Sequence, residues 1–265
     1  MTISRVSSEP GDDALPWRRR RPRDAGDFLS PAVRNALAAT GSSADQVVPF
    51  NTIRKRAASA LLASKQTAAH ALTTVAVDYS RIDAARTGFR LTALPFVARA
   101  VVDALHEFPQ LNATVEGDAL VVRRAVHLGI AVDLDHQGLV VPVVRNADDL
   151  RLAALAERIR DAATRARARQ LGPDDLIGGT FTITNPGAAG TWLSFPILNA
   201  PQVGILATDG VTKRVVVDDR GGLRVQPMGN LCLTFDHRAI DGAYAGSFLE
   251  RVRELVEERD WASEL

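Results

Sequence analysis

Thr234-Phe235-Asp236-His237-Arg238-Ala239-Ile240-Asp241-Gly242 is the stretch on which the fold turns. The residues leading into it, Leu231 to Phe235, are apolar and β-compatible, and read as a strand that brings His237 to its end. Beyond it, Phe248, Leu249, Val252, Leu255 and Val256 share one face of a helix beginning near Asp241. The Asp241 carboxylate, at the start of that helix, is favoured by the free backbone N–H groups and the helix dipole. A histidine placed where the chain leaves a sheet has an ordinary pKa of about 6.5 and suits general-base work on a thiol or hydroxyl. Spacing alone leaves open the blander alternative, a structural histidine paired with a nearby carboxylate.

Upstream lies a second informative stretch, Gly178-Gly179-Thr180-Phe181-Thr182-Ile183-Thr184, stopped by the turn signal Asn185-Pro186-Gly187. A hydroxyl at that strand end, Thr184, is placed to donate to a developing oxyanion, although threonine is common in strands on propensity alone. Further strands are expected at Leu72–Asp78, Leu120–Val122, Gly129–Val132, Val203–Ala207 and Val211–Val217. Leu139–Val144 also reads as a strand, with Pro142 arguing for a bulge or a sheet edge.

Helical spacing recurs at Ile53, Ala57, Ala60 and Leu61, and again from Phe96 to Leu105, where Thr92 is the expected cap. Asp148 is the expected cap of a long helix carrying Leu152, Leu155 and Ile159. That helix ends in Arg165, Arg167 and Arg169, which read as a solvated face with no partner. Strands mixed with helices, without strict βαβ alternation, predict an α/β or α+β domain with a mixed sheet.

Composition narrows the function classes. A net charge of +1 gives no reason to expect nucleic acid or a membrane surface as partner. The lone cysteine, Cys232, excludes a disulfide framework and a cysteine metal cluster within the chain, and reads as a small buried side chain. His70, His106, His127 and His136 lack metal-ligand spacing, so no metal is expected. With neither a signal peptide nor an apolar run of about 20 residues, a cytoplasmic protein is expected. Residues 1–46 read as a largely disordered arm, rich in Ser, Pro, Gly and charge, with a short helix from Ser30. Its arginine run, Arg18 to Arg23, reads as a solvated tail rather than a dock for an acidic partner.

In combination, these segments resemble the catalytic domain of dihydrolipoamide acyltransferases, the E2 components of 2-oxoacid dehydrogenase complexes. The resemblance is carried, in order, by Ile53-Arg54-Lys55-Arg56 with Ser64-Lys65-Gln66-Thr67, by Glu107 to Ala113, and by Leu128 to Val144. Asn199-Ala200-Pro201-Gln202 and Asp236 to Gly242 complete it. It implies a chloramphenicol-acetyltransferase-like fold, α/β with a mixed sheet, in residues 47–265. It further implies a homotrimer with active sites between subunits. His237 of one subunit would deprotonate the thiol of dihydrolipoamide or coenzyme A. Thr184 of the neighbour would stabilise the oxyanion, and Asp241 would fix the architecture around the histidine, with Arg54 or Arg56 as its pairing candidates. His70 and Trp192 are lesser candidates for the channel and the acyl pocket.

Where the chain departs from the resembled family, the expectations open again. It has no room for a lipoyl domain, so a lipoyl group would come from another chain. Ser30–Thr40 matches only part of the small domain that binds E1- and E3-type enzymes. Three readings follow: a coenzyme A-dependent acyltransferase with a dihydrolipoyl or other acceptor, a non-catalytic trimeric scaffold, and, ranked lowest, an antibiotic O-acetyltransferase.

Overall fold

The computed structural model describes residues 47–89, 91–218 and 220–264. The proposed arm over residues 1–46, with its short helix, lies outside the described residues. Asn51–Leu265 forms one compact unit, in which everything below takes place.

Helix α1 (Thr52–Thr67) starts at Asn51, whose Oδ1 accepts the Arg54 N–H at 2.7 Å. Strand β1 (His70–Asp78) follows, then the short helix α2 (Ser80–Arg86) and helix α3 (Leu94–Glu107). The hairpin β2 (Ala113–Glu116) and β3 (Ala119–Val122) leads to β4 (Leu128–Ile130). Three short strands come next: β5 (Val132–Asp133), β6 (Leu139–Val140) and β7 (Val143–Val144). Helix α4 (Leu152–Arg167) precedes β8 (Phe181–Thr184), β9 (Gly204–Thr208), β10 (Thr212–Val217), β11 (Leu223–Asp236) and the last helix, α5 (Gly242–Glu258).

The main sheet runs β1-β11-β9-β8-β4-β7, with β10 paired to the first half of β11. The β11–β9 pair is antiparallel while β9–β8 and β8–β4 are parallel, so the sheet is mixed as the sequence predicts. Strands β8 and β9 are central and almost wholly buried on both faces. Helix α3 is buried along nearly its whole length, and α5 buries Phe248, Leu249, Val252 and Val256. Trp261 folds back to stand edge-on to Phe96, 5.3 Å between centroids, with its indole N–H given to the Val256 carbonyl.

Several local expectations are corrected. Helix α3 begins at Leu94 with Ala93 at the cap position, not Thr92. Helix α4 begins at Leu152; Asp148 sits in a 3-10 turn before it and accepts the Val126 N–H instead. Within the basic run, Arg165 forms a bidentate pair with Asp175, while Arg167 and Arg169 are exposed. The Leu139–Val144 run is broken at Val141-Pro142 into two strands in different sheets, β7 taking the edge of the main one. Strand β11 starts eight residues before Leu231, a stretch hidden by Pro227 and Gly229.

Candidate active site

Thr184 closes β8 and lines a cavity of about 270 Å³. Thr182, Thr184 and Ile205 of the sheet line it together with Ala131, Leu139 and Val141. The segment Pro196–Ala200 closes one side, and Ala60 and Leu61 of α1 the other. No side chain lining it carries a charge. The Thr182 hydroxyl is already committed, donating to Gln202 Oε1 at 2.6 Å. That of Thr184 has no hydrogen-bond partner among the described residues, and it borders the cavity.

The chain leaves Thr184 by a turn that only glycine allows. A Cβ on Gly187 would stand 2.5 Å from the backbone carbon of Asp209. Asp209 in turn holds the segment that walls the cavity. It is buried, and its Oδ1 accepts the hydroxyls of Thr191 and Ser194 at 2.6 Å each. Its Oδ2 accepts the Ser194 N–H at 3.0 Å and the Cys232 thiol at 3.2 Å. Burial pushes the Cys232 thiol up, so it remains a protonated donor, in keeping with a packing role.

The far end of the same segment is held at Leu198. Its carbonyl accepts the buried Ser64 hydroxyl at 2.7 Å, and its N–H donates to His70 Nε2 at 3.1 Å. His70 Nδ1 faces the Ala68 carbonyl at 3.2 Å, so the proton belongs on Nδ1. His70 therefore braces the wall rather than lining the cavity. Trp192, 65% exposed, lies against the Arg214 guanidinium and is not among the cavity's lining residues.

His237 stands at the other end of the sheet, exposed, immediately past β11. Its N–H still donates to the Ala69 carbonyl at 2.8 Å, continuing the β1–β11 ladder. What fixes this corner is Asp236, a residue the sequence shows but to which spacing assigns no role. It is 2% exposed and accepts the Ala69 N–H at 3.1 Å, tying the strand to the α1–β1 junction. It also accepts the Arg238 N–H, and a two-pronged contact from the Arg238 guanidinium with a shortest distance of 2.6 Å. Burial alone would raise the Asp236 carboxyl, but these donors outweigh it and hold it below its ordinary value.

Asp241 occupies the cap position of α5, as expected, yet its side chain makes no cap hydrogen bond. Neither proposed arginine reaches it within the chain; Arg54 donates to the His136 carbonyl instead, at 3.2 Å.

The register fixes how far apart the two reactive groups lie. Thr184 pairs with Ala207, which is level with Cys232, so His237 lies five residues farther along β11. That is about 17 Å along the strands, plus two strand spacings of about 4.8 Å across them. Within one chain His237 and Thr184 cannot reach the same carbonyl group.

Among the described residues there is no group of three or more His, Cys, Asp or Glu able to hold a metal, and no helix long and apolar enough to cross a membrane.

Comparison with known proteins agrees with this architecture. The Bacillus subtilis lipoamide acyltransferase component of the branched-chain alpha-keto acid dehydrogenase complex is 38% identical over 229 residues, covering 83% of this chain and 54% of that protein. The Rickettsia bellii dihydrolipoyllysine-residue succinyltransferase component of the 2-oxoglutarate dehydrogenase complex is 39% identical, covering 86% and 60%. The Mycobacterium bovis acetyltransferase component of the pyruvate dehydrogenase complex is 47% identical, covering 69% and 34%. The chain thus spans between about a third and three-fifths of these relatives.

Among solved structures, Azotobacter vinelandii dihydrolipoamide acetyltransferase superposes with a TM-score of 0.79 at 30% identity, over 90% of this chain and 98% of that one. In that enzyme the catalytic roles of a serine, a histidine and an asparagine have been investigated. Chloramphenicol acetyltransferase, at 13% identity and a TM-score of 0.50, shares the fold alone. The family model for the 2-oxoacid dehydrogenases acyltransferase (catalytic domain) matches residues 42–262. The chain belongs to that acyltransferase family, on a chloramphenicol-acetyltransferase-like fold.

Proposed function

We propose that the protein transfers an acyl group between coenzyme A and a dihydrolipoyl thiol, in active sites shared between copies of the chain. The observation that carries this is the unpaired Thr184 hydroxyl facing an apolar cavity at one end of the sheet, with a bare imidazole, His237, at the other. Each supplies half of an acyl-transfer site, and neither can be completed by its own chain.

In the shared site, His237 of one copy takes the proton from the attacking thiol. The thiolate sulfur adds to the thioester carbonyl carbon, and the oxyanion accepts a hydrogen bond from Thr184 of the neighbouring copy. Collapse breaks the original carbon–sulfur bond, and the departing thiolate takes the proton back from His237. Charge develops only on the oxygen and the imidazole, so the residues present suffice without a metal. Asp241 is proposed to hold the corner around His237 across the same interface, where an arginine such as Arg54 or Arg56 of the neighbour is its expected partner.

A homotrimer is the assembly we propose. Two exposed apolar surfaces support it: Leu61 and Leu62 on α1, and the hairpin of β10 and β11 with Val215, Val217, Leu223 and Val225 bare. Patches of this kind on a soluble chain mark surfaces that another protein covers. The relatives are named components of dehydrogenase complexes, which supports a lipoyl-bearing chain and E1- and E3-type enzymes as further partners, with residues 1–46 as an arm outside the catalytic domain. Free thiol chemistry and a protonated Cys232 suit a reducing compartment, and we place the protein in the cytoplasm.

The test is acyl transfer from a panel of coenzyme A thioesters to dihydrolipoamide and to a separately supplied lipoyl domain, with the particle mass measured on the same sample. Transfer by a particle of three chains is expected. A monomer would refute both this reading and the trimeric scaffold, whereas a trimer that transfers from no thioester would favour the scaffold.

A further inference from the structure

We infer that the acyl group this site carries is a neutral, short aliphatic one and not a carboxylate-bearing one such as succinyl. The inference rests on the acyltransferase reading and adds the substrate class. Likeness to relatives does not decide it, since those at 38%, 39% and 47% identity are named for branched-chain, succinyl and acetyl chemistry respectively.

The cavity beside Thr184 decides it. An acyl group whose carbonyl oxygen meets the Thr184 hydroxyl must extend its tail over Thr182 and Ile205, toward Ala131 and Val141. These walls are aliphatic. The Thr182 hydroxyl is spent on Gln202, and Asn199 brings a neutral amide. A carboxylate entering would give up its water with no cation to meet it, a cost that buried unpaired charges do not recover.

The cations at hand are engaged elsewhere. Lys65, one turn along from Leu61 on α1, holds its ammonium over the Phe195 ring, 5.0 Å from the centroid, and does not line the cavity. Arg238, which a second copy would bring in beside His237, is tied to both oxygens of Asp236. A neutral aliphatic tail, in contrast, gains from every wall it touches. At about 270 Å³ the cavity has room for more than two carbons.

The test compares kcat/KM for the acetyl, isobutyryl and succinyl thioesters of coenzyme A with dihydrolipoamide as acceptor. At least one neutral thioester should exceed succinyl by tenfold or more. Succinyl equal to or better than both would overturn the inference while leaving the transferase reading intact. No transfer from any of the three would instead remove the transferase reading itself.

Two variants check that this cavity is the one that selects. Ala131→Leu, which adds bulk to a lining residue, should cut isobutyryl transfer relative to acetyl by about tenfold. Leu61→Arg places a cation at the rim, on a residue 43% exposed in the single chain. Because Leu61 belongs to a surface proposed to be covered in the trimer, the particle mass is measured alongside and must remain that of wild type. The variant should move the succinyl-to-acetyl ratio upward by at least fivefold. Ratios unchanged in both variants would overturn the assignment of the cavity.

Discussion

The Thr184 end of the sheet and the His237 end are built by opposite means. Around Thr184 the chain is over-determined. Central strands are buried on both faces, a glycine is pressed against Asp209, and the neighbouring segment is bonded at Thr191, Ser194 and Leu198. At the His237 end a strand simply stops, and one buried carboxylate, Asp236, holds the corner. The contrast teaches which half can wait for a partner. On the proposed reading the oxyanion donor, Thr184, has to be aimed before substrate arrives, because preorganisation is what makes such a donor effective. On the same proposal the imidazole needs a rigid base, while its working face is left bare for a second copy to cover.

The strongest challenge to this contrast is His237→Ala. Loss of the base should reduce turnover by about 10³-fold. Removing an exposed side chain should leave the unfolding free energy within about 0.5 kcal/mol and the particle mass unchanged. A large loss of stability would mean that the residue is structural. Next is Thr184→Ala, expected to lower kcat by about 10²-fold with little change in KM, while Thr184→Ser retains most of the rate. Equal losses in both variants would point to packing by the methyl group instead of donation by the hydroxyl.

Arg238→Ala should have a mixed effect, because it strips Asp236 of its charged partner and leaves a carboxylate buried on backbone donors. A stability loss of about 2 kcal/mol is expected, with a rate loss of about tenfold. Since the Asp236 carboxyl sits below its ordinary value in the folded chain, the pair's contribution is complete above about pH 4, where the unfolded carboxyl titrates. It is lost as pH falls through the lower, folded value. Urea midpoints of wild type and variant should therefore converge as pH falls below about 4. A gap independent of pH would exclude the ion pair as its cause. The smallest effect expected is from Ser194→Ala, about 1 kcal/mol of stability and a rate within about twofold, since Thr191 and Cys232 still hold Asp209.

How much of this was legible beforehand follows the same division. Strand β8 with its terminal Thr184, the helix after Asp241 and the mixed sheet all follow from periodicity and turn signals, because each feature is local. The bracing of the cavity wall was not legible. Asp209 meets Ser194 and Cys232, and His70 meets Leu198, across sequence separations that no spacing rule connects. Asp236 sat in plain view beside His237, but its role depends on the Ala69 N–H, which only the β1–β11 pairing brings near. The helix caps failed for two reasons. Asp148 is a competent capping residue by type, but the Val126 N–H claims its side chain first, while the helix after Thr92 starts one residue too late for Thr92 to cap it.

The segment from Thr191 to Leu198 is fastened at both extremities. A wall stitched down at two points cannot swing aside as a gate, so the cavity beside Thr184 keeps one shape whether filled or empty.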